Sequence, residues 1–140
     1  MAELSKQNLI YLAEVKLADA KLLLGVGRSA NAYYLAGYAI ELMLKAILSS
    51  RFRADTLPDR EWSMKVFIHD FTKLAELALL KEVLKESADG DPEFSARWQI
   101  VLQWGETSRY DSPGTDAAQE LIDAIEHPEH GVLQWLRARL

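Results

Sequence analysis

The sequence predicts an all-α protein, an up-and-down bundle of about five helices forming a single domain over residues 1–140. Three observations carry that reading. Apolar residues recur at three- and four-residue steps along most of the chain, and no stretch shows convincing β alternation. The glycines and prolines, seven and four in 140 residues, fall between the periodic stretches. Composition is 49% hydrophobic and 26% charged, as in a folded globular chain. A chain of this length buries roughly two-thirds of its unfolded surface, so the absence of cysteine costs it no staple it needs.

Ser5 is placed to cap a first helix whose apolar stripe is Ile10, Ala13, Leu17, Ala20 and Leu24. Gly25 and Gly27 end it. Ser29 opens a second helix to about Ser50, apolar nearly all round, which places it at the centre of a bundle. Arg51 to Trp62, polar and carrying Pro58, reads as a loop. Met64 to Leu84 is helical again, with Asp70 a candidate cap that leaves His69 just outside. Ser87 to Gly90 breaks the run, and Asp91-Pro92-Glu93 starts the helix carrying Phe94, Trp98, Val101 and Leu102. Gly105 to Gly114 reads as a loop. Thr115 or Asp116 caps a last segment, Ala117 to Leu140, which Pro128 and Gly131 divide or kink.

A net charge of −5 argues against a broad basic face for nucleic acid. The most hydrophobic stretch, Ala30 to Leu48, carries Asn31, Glu41 and Lys45, so no membrane span is expected and cytoplasmic residence is the default. There is no phosphate loop, no nucleophile elbow and no His-Glu-x-x-His.

The second helix carries the chemistry. Asn31, Tyr34, Tyr38, Glu41 and Lys45 lie three or four residues apart and share one stripe. Each polar group left unpaired in so apolar a helix costs about 1–3 kcal/mol, so these residues need partners. The simpler reading is a Glu41–Lys45 ion pair that fixes helix register. The functional reading is a polar groove completed by the Arg109–Tyr110 loop. His69 reads as a capping histidine. His127 and His130, beside Glu126, flank Pro128, which spoils the regular His-x-x-His geometry a metal needs, so no metal or other cofactor is expected. The four tryptophans read as core and interface anchors.

Ala32-Tyr33-Tyr34-Leu35-Ala36-Gly37-Tyr38-Ala39-Ile40-Glu41-Leu42-Met43-Leu44-Lys45-Ala46 resembles the central helix of HEPN domains (higher eukaryotes and prokaryotes nucleotide-binding). Phe67 to Leu74 resembles that family's His-Asp-Leu helix start, and Trp104 with Ser108-Arg109-Tyr110 its Trp…Arg-Tyr segment. The blocks follow the family's order from about Ala13 to Leu136. The resemblance implies a helical bundle forming a two-fold homodimer. It implies either a metal-independent ribonuclease or a non-catalytic nucleotide- or partner-binding domain, often paired with a nucleotidyltransferase antitoxin. The family's ribonucleases carry Arg and His separated by four to six residues. Here no arginine precedes a histidine at that interval, and the nearest candidate, Arg60 to His69, has eight residues between.

The expectation is therefore a non-catalytic, dimeric nucleotide-, RNA- or partner-binding module, matched in a toxin–antitoxin-type pair with a nucleotidyltransferase. Its site residues would be Tyr34, Tyr38, Glu41, Lys45, His69, Arg109 and Tyr110. Lys45 and Arg109 would contact phosphate, the tyrosines would stack or donate hydrogen bonds, and Glu41 would orient the cations. The rivals are a divergent ribonuclease using His69 with Arg109, and a purely structural interaction protein.

Overall fold

The computed structural model describes residues 5–51, 64 and 67–140, with the side chain of Arg109 excepted. The expected loop from Arg51 to Trp62, with Pro58 and Arg60, lies outside the described residues apart from Arg51. The described chain is an all-α bundle. Helix α1 is Lys6–Gly25, α2 Ser29–Ser49, α3 Phe71–Leu77, α4 Lys81–Gly90, α5 Pro92–Leu102, α6 Thr115–Glu126 and α7 Val132–Arg137, with a 3-10 turn at Glu106–Tyr110 between α5 and α6. No described helix is long and apolar enough to cross a membrane.

Local chemistry explains the boundaries. Ser5 Oγ accepts from the Asn8 amide at 3.2 Å and starts α1. At its end the Arg28 amide reaches back to Leu23 O and the Gly27 amide to Leu24 O, with Gly27 at φ +82°, a left-handed position that glycine fills without strain. The chain reverses there, and α2 packs along α1. Ser29 begins α2 but is not its cap; its hydroxyl donates instead to Pro113 O at 3.0 Å, tying α2 to the loop before α6. Asp91 accepts from the amides of Glu93 and Phe94, and Pro92 occupies the first turn of α5.

Three expected boundaries move. Helix α6 begins at Thr115 itself, with extended Gly114 at the cap position, so neither Thr115 nor Asp116 caps it. The stretch Met64 to Leu84 is not one helix: α3 stops at Leu77, and Leu79 takes φ +63°. The Leu80 amide bonds Ala75 O and the Leu79 amide bonds Glu76 O, a left-handed cap built on leucine instead of glycine, which hid it from a search for glycine. Ser87 to Gly90 also stays helical, closing α4, because the capping Asp91 immediately follows. These splits, with the break at Pro128, raise the number of described helices to seven.

Helix α2 is the axis. Ile40, Met43, Leu44 and Ile47 are fully buried, and α1, α3, α6, α7 and the 3-10 turn all pack on it. Burying four such side chains contributes on the order of 6–12 kcal/mol before entropy is counted. A polar residue on α2 is thereby forced into contact with several other elements. That is what builds the site.

Candidate functional site

Glu41 sits in the middle of α2 and is 1% exposed, yet both carboxylate oxygens are engaged. Lys45, one turn on, places Nζ 3.2 Å from Oε2. His69 places Nδ1 2.8 Å from Oε1. A carboxylate facing an ammonium only accepts, so Nδ1 carries the proton and donates. Desolvating a lone carboxylate costs several kcal/mol, and this one is held by two donors at once. The Glu41–Lys45 pair anticipated from spacing is present, and His69 is its third member.

The position of His69 follows from the start of α3. Asp70, extended at φ −83° and ψ 116°, caps the helix by accepting from the Lys73 amide at 2.9 Å. Phe71 and Leu74 then drive into the core. The residue before the cap is left against the polar stripe of α2. On its other side, His69 Nε2 lies 3.4 Å from Glu106 Oε1 at the start of the 3-10 turn. That turn is closed by the Ser108 amide donating to Gly105 O and the Gly105 amide donating to Ser108 Oγ.

Aromatic rings form the adjoining wall. The buried Trp104 indole stacks on Phe71, with centroids 5.2 Å apart and planes 4° apart, and tilts against Tyr34 at 5.9 Å. Gly37 lies under the indole so closely that a Cβ would come within 2.3 Å of three ring atoms; only glycine fits. Among the described residues the Trp104 Nε1 donor has no hydrogen-bond partner. Tyr34 leads to Tyr38 at 6.0 Å, and Lys16 Nζ from α1 lies 5.9 Å over the Tyr38 ring. Burial first, then the charges of Glu41, Tyr34 and Glu106, raise the Tyr38 phenol above its ordinary value, so it stays a neutral donor at physiological pH. A groove of about 530 Å³ runs alongside, bounded by His69, Phe71, Thr72, Trp104 and Glu106.

Of the expected site residues, Glu41, Lys45 and His69 are joined in one cluster, with Tyr38 and then Tyr34 following along α2, and His69 alone among these five lines the groove. Asn31 is exposed at the far end of the stripe. Tyr110 ends the 3-10 turn with its side chain 75% exposed. Arg109 lies in the same turn by its backbone; its side chain is outside the described residues. Glu106, Gly37 and Phe71 join the site without having been singled out for it. Gly37, a glycine inside an otherwise strongly helical run, was the one sequence signal for close packing there.

The remaining histidines are occupied elsewhere. His127 Nδ1 accepts from the amides of Glu129 and His130, closing the turn after α6. His130 bridges Asp91 at 2.7 Å and Glu93 at 2.9 Å. Among the described residues no group of three or more His, Cys, Asp or Glu is placed to hold a metal ion.

Comparison with family models, curated proteins and solved structures gives no match. The function has to be argued from the site itself.

Proposed function

We propose that the chain is a non-catalytic, HEPN-like helical module that works as a dimer and binds a nucleotide or an RNA end. The carrying observation is the buried Glu41 carboxylate, which holds Lys45 and His69 together beside a groove walled by Trp104 and Phe71. Lys45 is 19% exposed at its side chain and His69 36%, so the ammonium and the imidazole each keep a face open to solvent. An ammonium and an imidazole on a shared carboxylate suit a phosphate, and Tyr34 and Tyr38 offer ring faces and phenol donors beside it. The all-helical fold is the one the resemblance implies. A nucleotidyltransferase encoded nearby is the partner this reading favours, and cytoplasmic residence its compartment. The test is calorimetric titration with nucleoside mono-, di- and triphosphates and a short RNA, on the wild type, Lys45→Ala and His69→Ala. Binding that ignores both substitutions removes the proposal.

The carboxylate–imidazole contact favours a second reading. Glu41 holds the Nδ1–H tautomer of His69, the arrangement of an oriented general base, and Glu106, 3.4 Å from Nε2, would have to give way to a substrate. In that reading Nε2 would take the proton of an RNA 2′-hydroxyl as its oxygen attacks the neighbouring phosphate and return a proton to the departing 5′-oxygen, with Arg109 the arginine expected to act with it. RNA cleavage that disappears in His69→Ala selects it over the binding module.

A further inference from the structure

Most bundle helices show one apolar face, but α1 shows two. Leu9, Ala13, Leu17 and Ala20 are buried against the bundle. On the opposite side Tyr11, Val15, Ala18 and Leu22 follow one another at steps of four, three and four, the spacing of a coiled-coil seam. Tyr11 is 64% and Leu22 71% exposed, Ala18 is exposed and Val15 partly buried, and Val26, 74% exposed, continues the line past the helix end. Scattered exposed leucines are ordinary, but a contiguous seam about 17 Å long is not.

We propose that this face of α1 is a self-association surface on which the α1 of a second copy packs antiparallel. The inference rests on the dimeric part of the reading above and supplies the surface that reading lacks. The charges beside the seam select both the occupant and its direction. Glu14 and Lys21 lie seven residues apart on one flank, and Asp19 lies on the other. In an antiparallel pair, like flanks face each other, so Glu14 meets the second copy's Lys21, twice by symmetry. In a parallel pair Glu14 would face Asp19, twice, and repel it.

Packing follows the same axis. Val15 meets the second copy's Ala18 at the centre, where small side chains let the helices approach, and Tyr11 meets Leu22 at both ends. Glu14 and Lys21 already hold intrachain pairs, to Arg137 at 3.3 Å and Glu126 at 3.0 Å. Both heads therefore lie on that flank, within reach of a second partner. The seam removes on the order of 400 Å² per copy from water, about half the ~800 Å² of a standard interface, so the dimer is a weak one that forms in the micromolar range.

Sedimentation equilibrium of the full chain from about 1 to about 500 μM tests this. The average mass should rise from that of one 15.8 kDa chain toward that of two. Leu22→Lys should raise the dissociation constant tenfold or more, while Leu79→Lys, at an equally exposed leucine off the seam, should leave it unchanged. Glu14→Gln and Lys21→Gln should each weaken the dimer, and the double variant, which loses the same two symmetric pairs, should be no weaker than either single one. A wild type that stays monomeric throughout overturns the seam and the dimeric reading together, while nucleotide binding, read separately by calorimetry, still stands or falls alone. A dimer indifferent to Leu22→Lys overturns the seam only. A double variant weakened by the sum of the two single effects overturns the antiparallel arrangement.

Discussion

Replacing Glu41 by alanine strips the centre of α2 of the carboxylate that accepts from two neighbours. Lys45 and His69 each lose a charge-assisted hydrogen bond, at 3.2 and 2.8 Å. Such bonds contribute about 1.5–3 kcal/mol each. Both partners keep some side-chain exposure, 19% for Lys45 and 36% for His69, so the lower end applies, or about 3 kcal/mol for the pair. The cavity left in the helix core adds about 1 kcal/mol. Against a total stability of about 5–15 kcal/mol that is a large loss. With an m-value near ~2 kcal/mol/M in urea, the unfolding midpoint should fall by about 2 M. Glu41→Gln keeps the volume and one acceptor, so it should lose about half as much. Glu41→Leu combined with Lys45→Met removes the pair instead of breaking it and should recover most of the loss. A Glu41→Ala change below about 1 kcal/mol, or a double variant no more stable than the single, refutes the reasoning.

Three further outcomes follow from the structure. Gly37→Ala puts a methyl group within 2.3 Å of the Trp104 ring, which is itself buried and stacked on Phe71; the variant should lose about 2 kcal/mol and shift the tryptophan fluorescence. Leu79→Gly relieves a left-handed leucine whose side chain is exposed and should gain about 0.5–1 kcal/mol, raising Tm by about 2–4 °C; a fall in Tm contradicts the cap assignment. The His130 imidazole is held above its ordinary value first by its hydrogen bond to Asp91, then by the charges of Asp91, Glu93 and Glu129. A raised histidine contributes stability that is fully present below its unfolded value, about 6.5, and fades as pH climbs through its folded value. Asp91, lowered chiefly by the same bond, contributes above its unfolded value and fades as pH falls through its depressed one. Tm measured from pH 5 to 9 should therefore decline on the alkaline side, and His130→Gln should flatten that decline.

Much of the fold was legible because the caps are local chemistry. Ser5, Asp70 and Asp91 each cap the helix that their sequence position announces. The break at Leu79 was not legible: a left-handed leucine is strained in isolation and persists only because Ala78 and Leu80 on either side of it are buried. Within the site, the Glu41–Lys45 pair follows from helix periodicity alone. His69 was placed just outside its helix correctly, but its bond to Glu41 crosses 28 residues and depends on how α3 docks, which periodicity cannot supply. Glu106 escaped notice for the same reason. Its approach to His69 is set by a tight turn whose key residue, Ser108, looks like any other loop serine until its hydroxyl is seen bonding the Gly105 amide.

The central claim is that Glu41 gathers Lys45 and His69 into a site for a phosphate-bearing ligand. Calorimetric titration of nucleotides and a short RNA into the wild type, with Lys45→Ala and His69→Ala alongside, tests it most directly. The account predicts saturable heat in the wild type and at least a tenfold weaker affinity in both variants, with the fold retained. Equal affinity in all three proteins, or no heat from any of these ligands, would contradict it.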